Sequence, residues 1–167
     1  MKISAQEEYG LRCLVQLANL QPGESLTLPQ IAEREGISTA NAGKLMWLLN
    51  KAGFVHSTRG TKGGYFLARP AGEVRLNEVI KVLDQDVLNK HCESYTGVLD
   101  SCVHNGDCGI RPVIVGLHEI VENALSQITL AQLVGTESSV DAMFHQIQGI
   151  HRTIEPSGFS QIGTRGT

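Results

Sequence analysis

Pro29-Gln30-Ile31-Ala32-Glu33-Arg34-Glu35-Gly36-Ile37-Ser38-Thr39-Ala40-Asn41-Ala42-Gly43-Lys44-Leu45 reads as two short helices and the turn between them. Proline fits the first helical position, where its missing N–H costs nothing. Gly36 suits the left-handed cap that ends a helix. Ser38 then caps a further helix running to about Ala52, with Leu45, Leu48 and Leu49 inward and Gly53 closing it. Helices joined as tightly as this, across Gly36-Ile37-Ser38, predict a helix-turn-helix.

Upstream, Ser4-Ala5-Gln6-Glu7 has the form of a capping box. Leu11, Leu14, Val15 and Ala18 recur behind it at helical spacing, up to a stop before Pro22-Gly23. Downstream, Phe54-Val55-His56-Ser57 and Tyr65-Phe66-Leu67 flank the loop Thr58-Arg59-Gly60-Thr61-Lys62-Gly63-Gly64, which predicts a β-hairpin. Following a helix-turn-helix, such a hairpin is a wing. Its glycines permit close approach to a phosphate chain, and Arg59 and Lys62 supply charge. The loop is not a P-loop, because no Gly-Lys-Ser/Thr follows it and no helix opens there.

Beyond the wing, Leu76, Val79, Ile80 and Leu83 mark a short amphipathic helix over 76–84. The polar segment 85–109 holds three of the four cysteines, and a loop this long usually carries a function or a ligand. Ile110, Ile114, Leu117, Val121, Ala124 and Ile128 then step by 4, 3, 4, 3 and 4, a heptad seam with Pro112 in its first turn. This helix is read as a dimer interface. Val140, Met143, Phe144, Ile147 and Ile150 give a weaker helical pattern over 139–151, and the tail from Thr153 is expected to be disordered.

The bulk numbers fit a cytoplasmic globular protein: 41% hydrophobic, 19% charged, no apolar run approaching the ~20 residues a bilayer requires, and no signal-peptide core behind Met1. Net charge is −3, but residues 1–70 hold eight Lys/Arg against five Asp/Glu and residues 71–167 six against twelve. A basic amino-terminal half with an acidic remainder fits a nucleic-acid module on a regulatory body. No nucleophile–base pair, metal-hydrolase histidine motif or nucleotide loop points to an enzyme.

In a reducing compartment four cysteines are metal ligands, redox thiols or core residues before they are disulfides. Cys13, among Leu11, Leu14 and Val15, reads as a small buried hydrophobe. Cys92, Cys102 and Cys108 are separated by nine and by five residues. Structural zinc usually takes one tight Cys-x-x-Cys pair, whereas open spacing suits a multi-iron cluster. His91, His104, Asp107 and Glu93 are local candidates for the remaining position. A reversible thiol switch is the competing reading of the same cysteines, and a zinc-stabilised adaptor a further one.

Glu8-Tyr9-Gly10-Leu11-Arg12, Ile31–Ser38, Arg59-Gly60-Thr61-Lys62-Gly63-Gly64-Tyr65, the three-cysteine loop and Ile128–Val134 together resemble the IscR/NsrR/RirA-type iron–sulfur winged-helix regulators over about residues 1–135. The resemblance implies cluster ligation by Cys92, Cys102 and Cys108. It offers Glu8, supplied by the partner subunit, as the fourth ligand. Where other members carry a histidine three residues after the last cysteine, this chain has Arg111. Many members space both cysteine intervals by five, so the interval of nine here sets Cys102 apart and keeps His91 and His104 open as substitutes. The resemblance further implies that helix Ser38–Ala52 enters the major groove, with Ser38, Thr39, Asn41 and Lys44 facing bases or phosphates. The wing residues Arg59, Thr61 and Lys62 complete the interface, Arg59 entering the minor groove.

The expected fold is mainly α with a small β-hairpin: a winged helix-turn-helix plus a long C-terminal dimerisation helix. Residues 1–75 form the DNA-binding domain, 76–135 the cysteine loop and dimerisation helix, and 136–167 a partly disordered extension. The expected function is that of a homodimeric repressor on a palindromic double-stranded operator, with no membrane attachment. An iron–sulfur cluster, 2Fe–2S in preference to 4Fe–4S, would control it by sensing redox state, nitric oxide or iron supply. A cluster-free thiol-switch or small-molecule regulator on the same scaffold is the alternative.

Overall fold

The computed structural model describes residues 3–58, 60, 63–84, 102–104 and 107–151. It divides into two units, 1–134 and 135–167. In the first, helix α1 runs Ala5–Ala18 and begins at the expected capping box: the Ser4 hydroxyl accepts from the Glu7 N–H, and the Glu7 carboxylate accepts from the Ser4 N–H. Helices α2 (Leu28–Glu35) and α3 (Thr39–Lys51) follow. The α2 start lies one residue earlier than the proline suggested. Thr27 is its cap, in a second capping box with Gln30, so Pro29 takes the second helical position. Gly36 ends α2 at φ 64°, left-handed as expected, and Ser38 caps α3 by accepting from the Asn41 N–H.

The core lies where these helices cross. Cys13, Leu14 and Leu17 of α1 pack with Ile31 and Ala32 of α2 and with Ala42, Leu45, Met46 and Leu49 of α3. Met46, not Leu48, completes the buried face of α3, and Leu48 is only half-buried. Gly10 lets α1 cross closely over helix α4 (Leu76–Leu83), since a Cβ there would sit 2.5 Å from a Leu83 methyl. The Gln6 side-chain amide donates to the Leu83 carbonyl at 2.7 Å, a second tie between these helices.

Strands β1 (Val55–Ser57) and β2 (Tyr65–Leu67) form the antiparallel hairpin, with Val55 opposite Leu67 and Ser57 opposite Tyr65. A third element joins them without any local signal in the residues: Leu26 bridges to Tyr65 through two backbone hydrogen bonds of 3.0 and 2.7 Å. Gly64 makes this possible, because a Cβ there would fall 2.8 Å from the Leu26 backbone. The wing is thereby tied to the segment before α2.

Helix α5 spans Ile110–Ser126. The heptad seam overran it at one end. Beyond Ser126 the chain turns back, and Ile128 is buried while its carbonyl accepts from the Leu76 N–H at 3.0 Å. The Leu130 N–H donates to the Val74 carbonyl at 2.9 Å, and Leu130 is fully buried in the amino-terminal core. One end of α5 is therefore stitched to the amino-terminal core at the start of α4. The second unit contains helix α6, Glu137–His151, beginning two residues before the expected start. The tail expected to be disordered, and most of the 85–109 segment, lie outside the described residues. Among the described residues no helix is long and apolar enough to cross a membrane.

Candidate nucleic-acid interface and cysteine segment

Thr39, Asn41 and Lys44 are exposed on the first turns of α3, on the side away from the core. Ser38 is also exposed, but its hydroxyl is occupied in capping, accepting from Asn41 at 3.2 Å. Its first role is thus to start the helix, and only its remaining hydrogen-bonding capacity is left for a ligand. The α3 sequence contains no acidic residue, so its outward surface meets a polyanion with Lys44 and Lys51 and no opposing charge. Arg59, Thr61 and Lys62 of the wing tip lie outside the described residues. The described wing backbone turns through Gly60 at φ 115°, with the Gly63 N–H donating to the Gly60 carbonyl at 2.9 Å. That backbone conformation favours glycine over any side chain. Asn50 braces the far end of α3, its side-chain amide donating to the Val55 carbonyl at 3.0 Å, so recognition helix and wing are held as one piece.

Sequence reasoning missed Trp47, which is 59% exposed on α3. The signal was present in the spacing. Trp47 lies three residues beyond Lys44, on the helical face opposite Ala42, Leu45, Met46 and Leu49.

The cysteines divide by environment. Cys13 is fully buried, and burial, followed by the negative charge of Glu35, pushes its thiol up to about 12. Such a thiol is neither nucleophile nor ligand at neutral pH, as the sequence suggested. Cys102 and Cys108 are free thiols and half-buried, just ahead of α5, where the Cys108 carbonyl accepts from the Arg111 N–H at 3.2 Å. His104 and Asp107 are exposed beside them. Cys92, His91 and Glu93 lie outside the described residues. Glu8 is exposed in the first turn of α1, its carboxylate 2.8 Å from the Arg12 guanidinium, which itself stands 5.7 Å from the Tyr9 ring centroid.

Among the described residues no three His, Cys, Asp or Glu side chains gather into a metal-binding group. One chain thus does not bring Glu8 to Cys102 and Cys108. The two free, half-buried thiols nevertheless suit soft-metal ligation, and Glu8 adds a harder carboxylate donor whose partner is one exposed surface ion pair.

A helix-turn-helix with a hairpin wing, an acid-free recognition helix and a core that joins them define a winged-helix DNA-binding protein. The chain belongs to the Rrf2 family, described as an iron-dependent transcriptional regulator, whose model matches residues 3–136. It is 29% identical to the HTH-type transcriptional regulator IscR of Cronobacter sakazakii over 152 residues, 91% of each chain. It is 30% identical to that of Klebsiella pneumoniae subsp. pneumoniae, over 89% of this chain and 88% of the relative. Among solved structures, T. potens IscR aligns at TM-score 0.63 and 30% identity over 80% of this chain and 86% of that one. The oxidized form of Staphylococcus aureus CymR aligns at 0.64 and 26%, over 81% and 98%. The family and these relatives are transcriptional regulators, not enzymes, and this chain is a DNA-binding transcriptional regulator.

Proposed function

We propose that this regulator is a cytoplasmic homodimer on a palindromic operator, whose affinity for DNA is set by an iron–sulfur cluster held by Cys92, Cys102, Cys108 and Glu8. The observation that carries this reading is where the helix-anchored candidate ligands sit. Glu8 stands on α1, packed against recognition helix α3, while Cys108 stands at the foot of α5. The description of the family as iron-dependent supports the choice of metal. When bound, thiolate-held iron and sulfide supply a centre reactive toward oxidants and nitric oxide, with carboxylate a harder, weaker donor than thiolate.

The chain's own residues supply the coupling. A carboxylate drawn away from Arg12 pulls on the first turn of α1. That helix cannot slide independently, because Gly10 fits against Leu83 without spare room and Gln6 is bonded to the Leu83 carbonyl. α1 also buries Cys13, Leu14 and Leu17 in the core it shares with Leu45, Met46 and Leu49 of α3. Movement of α1 is therefore passed to α3 as a rigid-body shift. A symmetric dimer must hold its recognition helices ~34 Å apart to meet successive turns of one DNA face, so a small rotation abolishes simultaneous binding.

The test is the iron and acid-labile sulfide content, with the visible spectrum, of anaerobically purified protein and of Glu8→Ala, Cys102→Ala and Cys108→Ala. The wild type is expected to be red-brown and the cysteine variants to lose most of their iron. Glu8→Ala should hold a more labile cluster with unchanged circular dichroism. A wild type without iron after anaerobic reconstitution contradicts the proposal. It would favour the second reading, a thiol switch at Cys102 and Cys108, which the likeness to CymR in an oxidized form supports.

A further inference from the structure

The buried side of α3 leaves an opposite stripe that steps Ala40, Lys44, Trp47, Lys51, and all four residues are exposed. Trp47 is the chain's single tryptophan, and the Lys51 ammonium sits 5.2 Å from its ring centroid. The large indole lies open to water beside a cation, on the helix that carries the base-reading candidates Asn41 and Lys44. We propose that Trp47 and Lys51 form the outer DNA contact of α3. The indole lies along the deoxyribose–phosphate backbone at the edge of the groove, and Lys51, held above the ring, pairs with a phosphate.

Length makes this possible. α3 has 13 residues. Such a helix is about 20 Å long, against a major groove about 12 Å wide. With Thr39 and Asn41 at base edges, the last turns pass the rim of the groove, where sugar and phosphate lie. Charge selects the occupant, since the stripe offers two lysines and α3 carries no acid. The site is also preorganised. Asn50 ties the end of α3 to β1, and the Phe54 N–H donates to the Leu49 carbonyl at 3.0 Å, so the indole is presented on a fixed frame. A backbone contact adds affinity and fixes register without reading sequence.

This inference rests on α3 being the groove-entering helix, and the experiment separates the two claims. The full-length protein first selects an operator duplex from a random-sequence library. Acrylamide quenching of the single tryptophan is then measured in the free protein and in complexes with operator and with non-operator duplex. Quenching should fall on both duplexes. Trp47→Ala should weaken binding to both by about tenfold, as loss of a backbone contact predicts, with Trp47→Phe closer to wild type. Lys51→Ala should lower the salt slope by about one. Unchanged circular dichroism of each variant would place these effects at the surface. The inference is overturned if Trp47 stays open to acrylamide in the complex and Trp47→Ala binds as wild type while Asn41→Ala loses the operator; the stripe would then serve another partner. If Asn41→Ala and Lys44→Ala are silent too, the placement of α3 in the groove fails and carries this inference with it.

Discussion

The amino-terminal helices and α5 place their apolar side chains in opposite ways. Helices α1 to α4 turn Leu14, Ile31, Leu45, Met46, Leu49, Val79 and Leu83 wholly into a shared core. α5 buries none of its residues fully, and Ile110, Val113, Ile114, Leu117 and Ile120 are exposed along one side, Ile110 at 71% and Ile120 at 65%. A monomer gains nothing from a contiguous apolar stripe in water, and such stripes mark surfaces that are covered in use. The first region is complete in one copy; the second leaves an apolar side that the proposed dimer would cover. The cysteine segment leads into that unfinished end of α5, while its other end is stitched to the core through Ile128 and Leu130.

The largest effects are expected in the core. Leu14→Ala or Leu45→Ala should lower stability by about 2–5 kcal/mol, measured by urea denaturation, because each empties a fully buried site. A charge on the α5 stripe should leave the fold and remove the partner. Leu117→Glu is expected to sediment as a monomer with native circular dichroism, and to bind the operator roughly a hundredfold more weakly, since two linked half-sites become one. A Leu117→Glu protein that still sediments as a dimer would show that the exposed stripe is not the interface.

Smaller effects sharpen the contrast between the cysteines and between the carboxylates. The Cys13 thiol ionises near 9.0 when unfolded and only near 12 when folded. The folded state thus keeps a proton that the unfolded state releases. The stability this provides is complete below about pH 9 and is lost as pH rises toward about 12. Urea denaturation across that window should show a steeper alkaline decline in wild type than in Cys13→Ala. In the folded, iron-free protein iodoacetamide should modify Cys102 and Cys108 and spare Cys13, and bound iron should protect the first two. Smallest of all, Glu8→Ala should change stability by less than about 0.5 kcal/mol, since the Glu8–Arg12 pair is exposed and lies one helical turn apart. An effect of Glu8 on iron retention then reports on ligation, not on folding.

Much of this was legible in local chemistry. Ser4, Gly36 and Ser38 mark helix ends through rules that need only neighbouring residues, and they sit where they were expected. Non-local pairing escaped. Nothing adjacent to Leu26 says that it will bridge to Tyr65, and nothing in the heptad spacing says that Ile128 will leave the seam to bond Leu76. Met46 replaced Leu48 in the core because both are apolar, and only the rotation of α3 against α1 chooses between them. For the site, sequence supplied donor types and spacing, but among the described residues of one chain Glu8 does not gather with Cys102 and Cys108, and the proposed cluster takes it from a second copy. Trp47 was legible from spacing alone, three residues beyond Lys44 and opposite the buried face of α3.

In the proposed mechanism, iron bound at the cysteine segment controls α3 through α1. The most direct measurement is operator affinity of one anaerobic preparation before and after chelation of its iron, with Glu8→Ala alongside. The account predicts a change in Kd for wild type within the usual range of allosteric coupling, about 5- to 150-fold, and a much smaller change for Glu8→Ala. Equal affinities with and without iron in the wild type would contradict it.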